Sequence, residues 1–173
     1  NPKEEPELSH FHLFDAKGNV KGVRDMEIVD YLVENVQFFV VGITPYYYEH
    51  GVFLEDHDGV RMKYRIQKLI YRDQAQSGVI KRIYNLLITH PKVHREAYEL
   101  NKQPVRWINF KNGYYDPVMG EMLEHNPDYL TINQIPFPYY PEDCEHVLQG
   151  GENIKKYLAL SLPNKEEQQI AEK

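Results

Sequence analysis

Ile28, Val29, Leu32, Val33 and Val36 recur at the three- and four-residue spacing of one helical face, with Asp25 ahead of them as a capping side chain. That pattern predicts a helix from Asp25 to about Gln37. Before it, Phe11 to Phe14 predicts a short strand, and Asp15-Ala16-Lys17-Gly18-Asn19 supplies turn chemistry. Phe38 to Ile43 is the longest apolar run and has the length of a buried strand. Tyr46 to His50 and Val52 to Glu55 predict two strands around a turn near His50-Gly51. The polar turn Glu55-Asp56-His57-Asp58-Gly59 leads into a second predicted helix, about Val60 to Arg72. A third starts at Ser77 as its cap and ends near Thr89, before Pro91, with Ile80, Ile83, Tyr84 and Leu87 as its apolar face. A short fourth helix is expected over His94 to Leu100.

The pattern changes at Arg106. Trp107-Ile108-Asn109-Phe110 and Tyr114-Tyr115 flank Lys111-Asn112-Gly113, and Asn-Gly between such runs predicts a hairpin with a type I′ turn. Met122-Leu123, Leu130 to Ile132 and Ile135 to Tyr140 extend this β region, although Pro136, Pro138 and Pro141 confine its last stretch to an edge or a strap. A helix is expected from Glu152 to Leu162, stopped by Pro163, and a further helical pattern opens at Asn164. The expected class is therefore α+β: a helix-rich N-terminal part with short strands, then a β-hairpin region and a C-terminal helix. Residues 1–10, polar and carrying two prolines, read as a flexible arm, and 11–163 as a single module with possible subdomains 11–105 and 106–163.

Composition narrows the function. The 173 residues fit one ordinary domain or two small ones. No apolar run approaches the roughly 20 residues that span a bilayer, so no membrane partner is expected. Cys144 is the only cysteine and sits among carboxylates in PEDCEH, which disfavours a thiolate. Its solitude excludes an internal disulfide and fits a cytoplasmic setting. The net charge of −6 argues against a dedicated DNA-binding protein. Yet Arg61 to Arg82 holds seven cations and one anion, a local charge of +6 that leaves −12 for the remainder. Arg61, Arg65, Lys68 and Arg72 fall within roughly 60° on a helix, and Lys81 and Arg82 follow on the next. These six are the candidate phosphate contacts. The competing reading is a solvated face, or one docked on carboxylates of this chain or a neighbouring subunit.

Other patterns carry less. Asp56-His57-Asp58 has the acidic spacing that holds Mg²⁺ in nucleotidyl transferases, but it precedes Gly59 and reads as a turn. His90 and His94 are separated by Pro91, and His10 and His12 read, like them, as surface histidines rather than zinc ligands. Tyr46-Tyr47-Tyr48 and Tyr114-Tyr115 can stack bases, or pack as ordinary strand residues. There is no phosphate-binding loop, no nucleophile elbow and no dinucleotide-binding glycine pattern, so no cofactor and no catalytic residue are assigned.

Two stretches resemble a known family. The first is Pro45-Tyr46-Tyr47-Tyr48-Glu49-His50-Gly51-Val52-Phe53, followed by an acidic turn and a helix. The second runs from Trp107 through Asn109, Asn112-Gly113 and Asp116-Pro117 to Gly120-Glu121, and resumes at Gln134-Ile135-Pro136-Phe137-Pro138-Tyr139. Together they resemble the module that precedes the superfamily 3 helicase in phage and plasmid primases and poxvirus-type helicase–primases, over about Tyr31 to Leu162. In that family a primase domain comes first, then this module, then a hexameric ATPase. The resemblance implies replication of a mobile element's DNA, with primase and helicase domains of the same polypeptide as partners and a homo-oligomeric full-length protein. It also implies that residues 164–173 begin a linker helix toward a helicase. The Asp-x-Asp of the family's primases belongs to their upstream domain and is not transferred to Asp56 and Asp58. The reading is a non-catalytic module that links primase to helicase and contacts DNA. The alternatives are a protein-interaction or oligomerisation module without DNA contact, and an enzyme with a metal at Asp56 and Asp58.

Overall fold

A computed structural model of the protein describes residues 7–140. The chain has mixed α and β structure: three α-helices and three small antiparallel sheets among the described residues. A 3-10 turn, Leu8–Phe11, runs into β1 (His12–Phe14), which pairs with β2 (Val20–Val23). Helix α1 (Asp25–Asn35) follows. Strands β3 (Phe38–Val41), β4 (Thr44–Glu49) and β5 (Val52–Glu55) form a meander, with Phe38 opposite Tyr47 and Tyr48 opposite Phe53. Helices α2 (Val60–Lys68) and α3 (Ser77–Ile88) come next. A second meander, β6 (Ile108–Phe110), β7 (Gly113–Asp116) and β8 (Glu121–Leu123), follows. Residues 1–6 of the expected arm 1–10, the helix at Glu152 to Leu162 and the linker helix from Asn164 lie outside the described residues.

The helical periodicities converge on one aliphatic core. Ile28, Val29 and Leu32 from α1, Met62 and Ile66 from α2, and Ile83 and Leu87 from α3 meet Phe11, Leu69 and Ile70. Each such side chain contributes roughly 1.5–3 kcal/mol on full burial. Val36 and Ile80, part of the predicted faces, are only partly buried against this cluster. Asp25, expected as a cap, is instead the first residue of α1 and pairs with Arg82 of α3, Nη2 to Oδ1 3.0 Å, tying the two helices. Ser77 likewise begins α3 without a side-chain capping bond.

Several expectations are corrected. The second helix ends at Lys68, not Arg72. Leu69 and Ile70 both turn into the core, and the Tyr71 amide donates to Nε2 of His12 at 3.1 Å while the rings stack at 4.1 Å. His12 is therefore no surface histidine: it is buried, its Nδ1 lies 2.7 Å from the Leu8 carbonyl, and both ring nitrogens are engaged. No α-helix covers His94 to Leu100. Two isolated 3-10 turns, Pro91–Val93 and Ala97–Glu99, stand there, because His94 bridges Val40 and the Arg95 amide donates to the Val40 carbonyl at 2.9 Å. Pairing beside β3 holds the segment between the turns extended.

The Lys111-Asn112 hairpin forms, but neither loop residue has positive φ, so the turn is not type I′. Asn112 serves the strap instead: its Nδ2 donates to the Tyr139 carbonyl at 2.8 Å and its Oδ1 accepts from the Tyr139 amide at 2.9 Å. Leu130 to Tyr140 does not form further strands beyond an Ile135 bridge to Phe110. It crosses as a strap with Tyr139 stacked on Tyr115, ring centroids 4.2 Å apart.

Candidate nucleic-acid interface

The entry to α2 is built from the acidic turn. The Asp56 carboxylate accepts from the Arg61 amide at 2.9 Å and the Met62 amide at 3.0 Å, so both oxygens satisfy the free N–H groups of the helix start. Asp56 is buried, Asp58 sits in the left-handed region, and Gly59 packs so tightly on Tyr84 that any side chain there would strike the ring. The Asp56-His57-Asp58 triplet is thus a helix-starting turn. Among the described residues, no group of three or more His, Cys, Asp or Glu side chains comes together as a metal site would require.

Rising from that turn, Arg61, Arg65 and Lys68 stay on one flank of α2, beside a groove against α1. Leu8, Tyr31, Leu32, Asn35 and Val36 form its far wall, and Tyr64 its near one. Arg61 is tied down: Nη1 and Nη2 each lie 3.2 Å from a Glu49 carboxylate oxygen, and the guanidinium sits 4.2 Å from the Tyr47 ring centre. Arg65, Lys68 and Arg72 have no carboxylate partner among the described residues, and Lys68 rests on the Tyr64 ring. Because α2 stops at Lys68, Arg72 rounds a corner into a second groove, again bounded by Tyr64 and Lys68. Four of the six predicted cations therefore gather around one tyrosine.

The other two do not. Arg82 is neutralised by Asp25, which also holds its guanidinium above the usual arginine range through their hydrogen bond and charge. Lys81 lines a separate hollow with Lys63, Ser77 and Tyr84. Sequence reasoning missed Tyr64, although its position three after Arg61 and four before Lys68 borders the cationic stripe. The tyrosine clusters it did weigh are strand packing: Tyr46 stacks on Phe39, Tyr48 tilts against Phe53, and Tyr114 is fully buried.

The motif residues of the second meander form a clasp. Asn109 is buried and donates through Nδ2 to the carbonyls of Gly51, 3.1 Å, and Asn133, 3.0 Å. Gln134 Nε2 donates to the His50 carbonyl at 2.8 Å, and the Phe53 amide to the Thr131 carbonyl at 2.7 Å. His125 covers Gly51, where a methyl group would overlap its ring. Asp116 is a hub: Oδ2 accepts from Arg106 and from the Trp107 indole at 2.9 Å, and Oδ1 from the Val118 amide at 2.9 Å. Burial pushes its carboxyl upward, but the bonds from Arg106, Val118, Trp107 and Met119 prevail and bring it down to about 2. The two stretches that carried the family resemblance thus meet in space, one closing on the other.

The model of the family described as "D5 N terminal like" matches residues 34–158, more than two-thirds of the chain. The chain belongs to that family. Its members' shared module stands N-terminal to the superfamily 3 helicase in phage and plasmid primase–helicases, and is not itself a catalytic domain. Comparison with individual curated proteins finds no match. In this D5 N terminal like module the matched span holds both halves of the clasp and the whole of α2, and so both Tyr64 grooves have their cations inside it. No helix among the described residues is long and apolar enough to cross a membrane.

Proposed function

We propose that this chain is a non-catalytic module of a mobile-element primase–helicase that joins primase to helicase and contacts DNA phosphates through Arg65, Lys68 and Arg72. Membership of the family supports the context of replication and the neighbouring domains. The observation that carries the DNA contact is the gathering of Arg65, Lys68 and Arg72 around Tyr64 without in-chain carboxylates among the described residues, in a chain whose net charge is −6. An acidic chain can readily neutralise its own surface cations. Three left unpaired among the described residues, side by side around one exposed ring, make a surface suited to an anion from outside. Arg61, Lys81 and Arg82 take no part in this reading, since Arg61 and Arg82 are already paired and Lys81 lies apart. In the full-length polypeptide the module assembles with further copies and guides the strand toward the ATPase.

The test is a titration of labelled DNA with the 173-residue chain, followed by anisotropy at several salt concentrations. Replacing Arg65, Lys68 and Arg72 together with Ala should weaken binding and flatten the salt dependence, by about 0.7 to 0.9 in log–log slope for each phosphate that the variant no longer neutralises. Unchanged binding removes the assignment. Unchanged DNA affinity together with lost self-association of the full-length protein would move the cations to a docking surface for an acidic neighbouring subunit.

A further inference from the structure

We infer that the nucleic acid taken by this surface is single-stranded, with a base stacked on Tyr64. This rests on the phosphate-contact reading and adds the substrate class. Tyr64 is 59% exposed, a large aromatic ring left in water on a helix that buries Met62 and Ile66 and leaves Val60 outside as well. It stands as the wall between two grooves, with Arg61, Arg65 and Lys68 along one and Lys68 and Arg72 along the other. Lys68 Nζ lies 5.5 Å from the ring centre and is shared by both. A strand running from one groove to the other must cross the tyrosine, with cations on each side for its phosphates. The first groove's far wall, Tyr31, Leu32, Asn35 and Val36, is apolar and amide in character. That suits a base face rather than a phosphate.

A duplex fits poorly for a reason built into α2. Recognition helices of the helix-turn-helix kind present their N-terminal residues to the major groove. Here the N-terminus is closed by the buried Asp56 carboxylate, which already accepts the Arg61 and Met62 amides and would repel a phosphate. Arg61, the cation nearest that end, is turned onto Tyr47 and Glu49. The helix therefore offers its flank and not its tip. From Arg61 to Lys68 that flank is only about 10 Å long at roughly 1.5 Å per residue. A few phosphates of a flexible strand match it, with stacking adding an interaction that base-paired DNA cannot make.

The test compares a labelled oligothymidylate and a hairpin duplex of equal phosphate number, titrated with the 173-residue chain and with Tyr64→Ala, Tyr64→Phe and the triple cation variant. The expected result is tighter binding of the single strand. Tyr64→Ala should weaken that binding about tenfold or more while leaving duplex affinity and the salt slope unchanged, since no charge is removed. Tyr64→Phe should restore it, because the ring face and not the hydroxyl is used. Because Tyr64 is on the surface, circular dichroism should show all forms equally folded. Equal affinity for both DNAs, or an indifferent Tyr64→Ala, overturns the inference while a cation effect keeps the phosphate reading. Indifference of the triple cation variant overturns both.

Discussion

The three helices and the second meander are held together by different means. Around α1, α2 and α3 the packing is aliphatic, and the buried residues Ile28, Leu32, Ile66, Ile83 and Leu87 need only shape and volume from their neighbours. In residues 106–139 the centre is Tyr114, edge-on to Tyr129 and His125, with its hydroxyl 2.7 Å from Thr131 Oγ1. The polar side chains of Asn109, Asp116 and Thr131 are buried with it, and each is hydrogen-bonded. A core of the first kind accepts many combinations of similar volume. A network of the second kind fails when one member loses its donors or acceptors, because a buried unpaired group costs more than the bond itself contributed. That difference explains why Trp107 to Pro117 is so recognisable a stretch while the helices read only as periodic patterns.

The comparison is broken most severely in the helices. Leu87→Ala should lose about 2–5 kcal/mol in urea unfolding, and Leu87→Met less than about 1.5. If Leu87→Met costs as much as Leu87→Ala, the aliphatic half is as particular as the polar one. Gly51→Ala should follow, at about 2 kcal/mol or more, since its φ of +88° is strained for alanine and the methyl group meets His125. Its damage should be local: Trp107, the sole tryptophan, should change emission before helical circular dichroism is lost.

Acid should separate the halves too. The Asp116 carboxyl lies at about 2 when folded, below the ordinary 3.8. The stabilisation it provides is complete above about pH 4 and is lost as pH falls from there toward about 2. Trp107 emission should follow that loss, and Asp116→Asn should abolish its pH dependence. Tyr114→Phe should cost about 1 kcal/mol, because Thr131 keeps its bond to Gln103. Smallest of all, Glu49→Gln should change stability by less than about 1 kcal/mol, an exposed pair being screened by solvent. A larger loss would show that the Arg61–Tyr47–Glu49 group props the first meander against α2.

Local chemistry was legible and distant chemistry was not. The periodicity of Ile28 to Val36 and of Ile80 to Leu87 located α1 and α3 within two residues of their ends. The end of α2 was hidden because His12, 59 positions away, binds the Tyr71 amide. Likewise Val40 held His94 extended, and Tyr139 claimed Asn112 from its expected turn. In the candidate interface the spacing of Arg61, Arg65 and Lys68 placed them together, since a single helix carries all three. Glu49's grip on Arg61, the Asp25 pair that withdraws Arg82, and the exposure of Tyr64 all depend on packing between elements, which one-dimensional spacing does not contain.

The clasp on the His50-Gly51 turn has a kinetic side. Asn109 reaches Gly51 across 58 positions and Gln134 reaches His50 across 84, whereas the β4–β5 hairpin closes between neighbours. Loop closure over such spans takes its entropy before any bond forms, so the prediction is that the second meander docks after the hairpin and helices have formed. A ribosome releases the chain in the same order, with the receiving turn out well before the residues that grip it. Native proteins open in contiguous units, and the prediction is that amides along the seam between the two family stretches exchange before those of the helices.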